Sequence, residues 1–192
     1  MKYKLYCENC NIFREYEVKK ELRKYKIRNI DVEAEINISY CKHCGEELFN
    51  PKLESANDVI LFDEYKRKKG LLTSSQIKNI RDKYRISQVA FAKVLGLGDK
   101  TITRYENGTI QDDSINNLLM LSEKEANFIE LWNKNKDKLS KKDNDKIKEF
   151  FAMYIEEHTK YIDKNYKVRR EEARYETVDT QGGIIGVWES KV

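Results

Sequence analysis

Four cysteines near the start of the chain are the residues whose types and spacing point most directly to chemistry. They form two Cys-x-x-Cys pairs, Cys7 with Cys10 and Cys41 with Cys44, and the sequence contains no other cysteine. A Cys-x-x-Cys turn places two thiolates on one side of a loop, and a second turn docked opposite completes four soft ligands. Zn²⁺ prefers such a tetrahedral set, with Zn–S bonds of about 2.3 Å. We therefore predict a structural zinc site at Cys7, Cys10, Cys41 and Cys44.

Two disulfides or a set of redox-active thiols are the alternatives for the same cysteines. The paired spacing fits neither as well as it fits a metal, and a reducing cytosol disfavours disulfides. His43 lies inside the second pair and is interpreted as a solvated spacer. Because four thiolates fill the coordination shell of zinc, the metal is expected to hold the fold and not to activate water.

The segment between the two cysteine pairs is predicted to be a β-hairpin. Apolar and polar residues alternate before the second pair, which is the period-two pattern of a half-buried strand. The apolar positions are Ile30, Val32, Ala34, Ile36, Ile38 and Tyr40. A weaker alternation at Phe13, Tyr16 and Val18 predicts an antiparallel partner strand, with the hairpin tip within residues 24–29. We therefore assign residues 1–50 to a zinc-binding hairpin domain.

Helices are predicted after the hairpin. A charged helix covers residues 54–69 and ends at Gly70, so residues 51–70 are assigned to a linking helix. Thr73 and Gln76 have the spacing of a capping box, in which each side chain bonds the backbone N–H of the other. A new helix therefore follows the linking helix directly.

The stretch SQVAFAKVLGLGDKTITRYENG, residues 87–108, predicts two short helices joined by a tight turn. Ser87 caps the first helix, and Gly96 supplies the left-handed backbone conformation that ends it. The second helix buries Ile102 and Tyr105 and directs its cationic and hydroxyl side chains outward. A pair of helices joined in this way places the second helix in the major groove of DNA.

This segment resembles the helix-turn-helix of Xre/Cro-type DNA-binding proteins over residues 72–121. In the numbering of that motif the two helices are the second and the third. Ser-Gln opens the helix that Ser87 caps, Leu-Gly forms the turn, and Arg-Tyr-Glu-x-Gly closes the helix that follows. The residues implied to contact DNA are Gln88, Lys100, Thr101, Thr103 and Arg104. The resemblance implies that Gln88 anchors a phosphate or a base near the groove edge. It implies base contacts for Lys100, Thr101 and Arg104, and a phosphate contact for Thr103.

The chemistry of these side chains suits the implied roles. Arg and Lys donate well to guanine O6 and N7, while Thr pairs with several bases or touches a thymine methyl group. The alternative is that Gln88 and Thr101 only cap the helices or cover their surface, and that the bundle binds protein.

The chain has a zinc-binding hairpin followed by a linking helix and a helix-turn-helix. This order is similar to that of the MqsA/YgiT family of zinc-finger/helix-turn-helix proteins, many of which are antitoxins. The resemblance covers residues 1–121. It implies a C-terminal domain that forms a homodimer and reads a palindromic operator, and a zinc domain that holds a toxin. CENCN lacks the glycine that often follows the first cysteine pair in this family, whereas CKHCGEELF has a glycine directly after the second pair.

Composition limits the classes of function. Residues 51–122 contain 12 Lys and Arg against 9 Asp and Glu, a mild excess that permits contact with nucleic acid without requiring it. No apolar run approaches the ~18 residues that span a bilayer, and no signal sequence begins the chain, so a cytoplasmic protein is expected. The only histidines are His43 and His158, and no phosphate-binding glycine loop occurs, so no enzyme activity is expected.

Residues 123–192 extend beyond both resemblances. Apolar residues at helical spacing predict two further helices. These positions are Ala126, Phe128, Ile129, Leu131 and Trp132 in the first helix, and Ile147, Phe150, Phe151, Tyr154 and Ile155 in the second. The last stretch, which contains Gly182, Gly183 and Gly186, fits a short hairpin or a flexible arm. Dimerisation, a regulatory partner and packing on the zinc domain are all open roles for this extension.

Together these features predict an α+β protein in four parts. They are a zinc-bound β-hairpin domain (1–50), a linking helix (51–70), an all-α Xre/Cro-type helix-turn-helix domain (71–122) and a mainly helical C-terminal extension (123–192). The predicted function is transcriptional repression by an antitoxin that controls its own operon, with double-stranded DNA, a second copy and a toxin as partners. A stand-alone phage or mobile-element regulator and a zinc-stabilised protein-interaction adaptor are the alternatives.

Overall fold

The computed structural model describes residues 4–172, 175–178 and 184–188, with side chains described through residue 156. Contacts divide the chain into two compact units, residues 1–144 and residues 145–192. The first unit contains a four-stranded antiparallel sheet followed by helices, so the predicted α+β class is confirmed.

Four strands form the sheet in chain order. They are β1 (Lys4–Cys7), β2 (Ile12–Ile27), β3 (Ile30–Cys41) and β4 (Glu47–Leu48). Strands β2 and β3 form the predicted hairpin, in which Tyr16 lies opposite Cys41. Its tip consists of Arg28 and Asn29, with φ angles of 45° and 66°, as in the two-residue turns whose twist matches that of the strands. The tip lies inside the predicted range.

Helix α1 (Pro51–Lys69) covers one face of β3. Alternate side chains of the strand are buried against Leu61 and Tyr65 of the helix. These side chains are Val32, Ala34, Ile36 and Ile38. The period-two pattern is therefore confirmed, and its cause is the helix on one side and water on the other. The helix begins three residues earlier than predicted because Pro51 suits the first helical position, where no N–H is needed.

Buried polar contacts fix α1 to both of its neighbours. The Asn57 side chain donates to the Asn37 carbonyl at 2.8 Å and accepts from the Asn37 N–H at 3.0 Å, as a neighbouring strand would. The buried Lys66 ammonium donates to Asp63 at 3.1 Å and to the Ser74 hydroxyl at 3.0 Å. Asp63 also accepts from the N–H and the hydroxyl of Ser74, at 2.9 Å and 2.8 Å. The sheet, α1 and the next helix are therefore joined by hydrogen bonds.

Five α-helices lie wholly within the first unit after α1, and a short 3-10 helix (Lys136–Lys138) follows them. The five α-helices are α2 (Ser74–Lys83), α3 (Gln88–Val94), α4 (Thr101–Glu106), α5 (Asp113–Ser122) and α6 (Glu125–Asn135). Thr73 and Gln76 form the predicted capping box at the start of α2. Phe128 of α6 is fully buried and stacks on Tyr84, with ring centroids 3.6 Å apart. Helix α6, which the sequence placed in the C-terminal extension, therefore contributes to the core of the helical bundle.

The second unit contains most of α7 and a two-stranded antiparallel sheet. Their bounds are Lys141–Glu172 for α7, Tyr175–Val178 for β5 and Ile184–Trp188 for β6. Phe150 and Phe151 of α7 meet edge to face, with ring centroids 5.2 Å apart. The pairing of β5 with β6 agrees with the predicted hairpin, whereas Gly182 and Gly183 lie outside the described residues. None of the described helices has the length and apolar character needed to cross a bilayer.

The close contact between Gly108 and α1 leads to a prediction. Gly108 has a φ of 103°, and a Cβ there would lie 3.1 Å from Cγ2 and 3.2 Å from Cα of Val59. We expect Gly108→Ala to lower the free energy of unfolding by about 1–3 kcal/mol in urea denaturation, because the α1 backbone must move. Gly98→Ala is the control, since its Cβ would meet the Thr101 hydroxyl at an ordinary 3.4 Å. Equal stability of the two variants would contradict this.

Candidate metal centre and nucleic-acid interface

Two turns with a similar backbone conformation carry the four cysteines. The first turn follows β1 and the second follows β3. Asn11, directly after the first pair, has a φ of 54°, and Gly45, directly after the second, has a φ of 76°. Asn enters this left-handed region more readily than most residues with a side chain. The glycine missing from CENCN is therefore replaced by the residue type that adopts the same conformation at modest cost.

The hairpin register brings the two turns together. The four Sγ atoms lie within 4.8 Å of one another, and those of Cys7 and Cys44 are 3.5 Å apart. Four sulfurs at about 2.3 Å from a tetrahedral ion are separated by roughly 3.8 Å, so the spacing fits one metal ion. A disulfide needs about 2.05 Å, and all four thiols are free. The four predicted ligands therefore form one group that can hold a metal ion.

The four thiols have different surroundings. Burial raises the pKa of the Cys7 thiol to about 12. The backbone N–H of Glu46 and the side chain of Asn9 lower the pKa of Cys44 to about 6. Cysteine binds metal as the thiolate, so the lowered pKa of Cys44 favours metal binding there, whereas binding by Cys7 must release a proton.

His43 lies outside this ligand group. Its side chain is exposed, and its Nδ1 is 3.6 Å from the Sγ of Cys10. The described side chains that converge here as possible ligands are the four cysteines. This placement agrees with the interpretation of His43 as a spacer.

Helices α3 and α4 are joined by the tight turn that the glycine pair predicted. The hydroxyl of Ser87 accepts a backbone N–H at the start of α3, as expected for a cap. At the other end Gly96 has a φ of 71°, and its N–H bonds the Lys93 carbonyl at 3.1 Å. The N–H of Leu97 reaches back to the Ala92 carbonyl at 2.8 Å. These two bonds form a Schellman motif, which ends α3 and lets α4 begin nearby.

A buried ion pair that the sequence did not reveal holds α4 against α2. Arg81 donates to both carboxylate oxygens of Glu106, at 2.6 Å and 3.0 Å. Glu106 also accepts from the Gln88 amide at 2.7 Å, and Gln88 accepts from the Thr103 hydroxyl at 2.8 Å. The hydrogen bond to Glu106 is the main reason that the pKa of Arg81 rises above its ordinary value. One network therefore fixes α2, α3 and α4.

The structure divides the five predicted DNA-contacting residues into two groups. Lys100 and Arg104 are exposed, and Thr101 is half-buried beside them at the start of α4. Gln88 and Thr103 are half-buried and bonded to each other. Sequence reasoning found these residues but missed Arg81 and Glu106, since charged residues 25 positions apart show no periodic signal. The contacts of Gln88, Lys100, Thr101, Thr103 and Arg104 with DNA stay predictions.

Comparison with known families identifies the chain. Residues 3–131 match the family described as the antitoxin component of the bacterial toxin-antitoxin system, MqsA. The chain belongs to this MqsA antitoxin family. The predicted resemblance to the MqsA family is thereby confirmed, whereas the Xre/Cro-type assignment of the helices stays a prediction. No curated protein is significantly similar to the chain.

The family match covers both candidate sites of this MqsA antitoxin. It includes the four cysteines and helices α1 to α5, and it ends inside α6. Helix α7 and the strands β5 and β6 lie beyond the matched residues. The match therefore covers the part of the chain that contains the four clustered cysteines and helices α3 and α4.

Proposed function

We propose that this antitoxin is a zinc-stabilised, sequence-specific DNA-binding repressor of its own operon, and that its metal domain binds the toxin. It acts by binding and has no enzyme activity. The observation that carries the proposal is a short helix, α4, with exposed cationic side chains and a position fixed by buried hydrogen bonds. Such a helix suits insertion into the major groove.

Lys100 and Arg104 supply the base contacts in this proposal. They are four residues apart, about one helical turn, so both side chains lie on one face. The Arg104 guanidinium donates two parallel hydrogen bonds to guanine O6 and N7, which discriminates against other bases by about 1–3 kcal/mol. Because Arg81 and Glu106 hold α4 in place beforehand, little conformational entropy is lost when the helix binds.

Gln88 supplies a contact to the DNA backbone, and Thr103, whose one hydroxyl proton is donated to Gln88, orients that side chain and does not bond the phosphate as predicted. The Gln88 amide uses one N–H for Glu106 and its oxygen for Thr103. An amide nitrogen carries two N–H groups, so the second is left to donate to a phosphate oxygen. The side chain is therefore held in one orientation by the protein, which sets the register of the helix on DNA.

Zinc is the ion that the four thiolates suit best, since soft sulfur ligands in a closed tetrahedral set are typical of structural zinc. Cys7, Cys10, Cys41 and Cys44 would hold it and would cross-link β1 to the end of β3. No ligand position would be left for a substrate, so the ion would support the fold.

A homodimer would place two copies of α4 on the two halves of a palindromic operator. In helix-turn-helix dimers the half-sites are separated by about 34 Å, one turn of B-DNA, or by multiples of it. Lys and Arg contacts to phosphates release counterions, so binding should weaken steeply as salt rises.

The test is to sequence the DNA fragments that the purified chain selects from a random library and to repeat the selection with Arg104→Ala. The wild type is expected to enrich a palindrome that also occurs upstream of its own gene. Arg104→Ala should bind that palindrome about 10- to 100-fold more weakly, because the guanine contact is lost. Arg67→Ala is the matched control, since Arg67 is exposed on α1 and pairs with Glu64.

Each outcome decides between functions. If the wild type selects DNA fragments with no common sequence, or if Arg104→Ala binds the selected DNA as tightly as the wild type does, then α4 does not read the DNA sequence. Toxin binding combined with indifference to DNA would support the adaptor alternative. A selected palindrome without any toxin partner would support the stand-alone regulator.

A further inference from the structure

An aromatic patch is exposed on the metal domain beside the cysteine turns. Tyr6, Phe13 and Phe49 are 46%, 62% and 73% exposed. Tyr6 and Phe13 lie opposite each other on β1 and β2, and their rings meet edge to face with centroids 5.4 Å apart. Clustered exposed aromatic side chains mark interaction surfaces, because covering them with a partner removes apolar area from water.

Tyr6 and Phe49 line one groove with a volume of about 590 Å³. The remaining lining residues are Glu8, Asn9, Glu46, Glu47 and Leu48. Glu47 is 3.4 Å from Arg23, whereas Glu8 and Glu46 have no ion pair within the described part of the chain. The groove therefore combines aromatic walls with two carboxylates that form no ion pair with a described residue.

The metal domain does not need the patch for its own stability. Its buried cluster consists of Cys7, Cys41 and Leu48, with Leu5, Cys10 and Tyr16 packed around it. Tyr6 and Phe13 belong to the opposite face of their strands, and Phe49 lies outside the cluster. The aromatic side chains are therefore available to a partner while the metal centre keeps its own core.

We propose that this patch, defined by Tyr6, Phe13 and Phe49 with Glu8 and Glu46, is the docking surface for the toxin. The inference rests on the proposed binding of the toxin by the metal domain, and it adds the surface and the chemistry of the toxin segment. The occupant is a segment that carries Arg or Lys side chains among apolar ones. Its cation meets two carboxylates and aromatic ring faces, which attract cations. An acidic segment is excluded by repulsion from Glu8 and Glu46.

Phe49 is the expected anchor of the interface. It is the most exposed of the three aromatic residues and lines the same groove as Tyr6. Interface energy concentrates in a few side chains that fill pockets, and aromatic residues and Arg dominate these positions. The carboxylates are expected to govern the salt dependence and the rate of association.

The experiment titrates the purified toxin from the same operon into the full-length chain by calorimetry. We expect Phe49→Ala to weaken binding by about 30-fold or more. The double variant Glu8→Lys, Glu46→Lys should weaken it most at low salt and reverse its salt dependence, because salt screens repulsion as well as attraction. Leu22→Ala and Glu35→Lys are matched controls on the hairpin and should change the affinity by less than about two-fold. Bound metal and operator binding, measured in parallel, should be unchanged in Phe49→Ala, Leu22→Ala and Glu35→Lys.

A reciprocal exchange completes the test. Replacing the Arg or Lys of the toxin segment by Glu should abolish binding to the wild type and restore it to the Glu8→Lys, Glu46→Lys variant. If the wild type binds the toxin and both patch variants bind it equally well, the patch is not the docking surface, while the proposed toxin binding stands. If the wild type does not bind the toxin, the proposed function fails at that point and this inference fails with it.

Discussion

Replacement of Cys41 by serine is expected to release the metal ion and to unfold β1 and the base of the β2–β3 hairpin. Cys41 is buried at the end of β3, where its N–H bonds the Glu46 carbonyl at 2.8 Å and its carbonyl accepts from Gly45 at 2.9 Å. Zinc binding contributes roughly 10–16 kcal/mol to the folded state of zinc-finger peptides at pH 7, and the loss of one thiolate forfeits much of this. No other single substitution in this chain should lower the stability of the fold by more.

The small core of the metal domain explains why so much depends on the ion. Two of its three buried members, Cys7 and Cys41, are themselves ligands, and Leu48 is the third. Without the ion, these thiols are buried polarizable groups with little apolar area around them. Domains with so little core depend on a metal or on disulfides for stability.

Two measurements check this prediction. Mass spectrometry should find one ion per chain in the wild type and none in Cys41→Ser, and chelation of the wild type should mimic the variant. Hydrogen exchange should accelerate in β1 and at the base of the β2–β3 hairpin. His43→Ala is the control inside the same turn and should keep the ion, because four sulfurs complete the site. A full complement of metal in Cys41→Ser would contradict the four-thiolate centre.

Asp63→Ala is expected to have the second largest effect on stability. Asp63 accepts three hydrogen bonds, from the Lys66 ammonium and from the N–H and hydroxyl of Ser74. Lys66 has a fully buried side chain, so the substitution leaves a buried ammonium with only the Ser74 hydroxyl as a partner. Breaking a buried ion pair from one side costs about 3–5 kcal/mol. Urea denaturation at pH 7 measures this loss, with Asp58→Ala, an exposed site on the same helix, as control.

The buried Lys66 of this hydrogen-bond network makes the free energy of unfolding depend on pH. Burial lowers the pKa of Lys66 below its ordinary 10.5, although Asp63 partly opposes the shift. The unfolded chain therefore binds this proton more tightly, and the contribution of Lys66 to stability rises as the pH climbs from the folded pKa towards 10.5. The difference in unfolding free energy between the wild type and Lys66→Met should accordingly grow in favour of the wild type as the pH rises towards 10.5. A difference independent of pH would show that Lys66 titrates alike in both states.

The sequence predicted those features that depend on neighbouring residues. Two cysteine pairs, the alternation that ends at Tyr40 and the capping box of Thr73 and Gln76 all act over a few positions. The glycine at position 96 was assigned its left-handed conformation for the same reason. Backbone conformation and side-chain alternation repeat with a fixed period, so a single sequence is enough to read them.

Features that join distant segments were not predictable from the sequence. Arg81 and Glu106 look like any other charged surface residues until α2 and α4 are packed together. Phe49, an apolar residue beside a buried leucine, gave no sign that its side chain would be 73% exposed. Helix α6 was separated from the bundle because nothing near Phe128 indicates a ring stacked on Tyr84.

By itself the sequence indicated the cysteines that cluster, the tight turn between α3 and α4 and the family, since each depends on residue types at short, fixed spacings. The tertiary structure alone decided which charges are buried as pairs, which aromatic side chains stay in water and how α1 joins the sheet to the bundle. These depend on which surfaces of distant segments meet and exclude water. Burial changes the energy of a charge or a ring far more than its neighbours in the chain do.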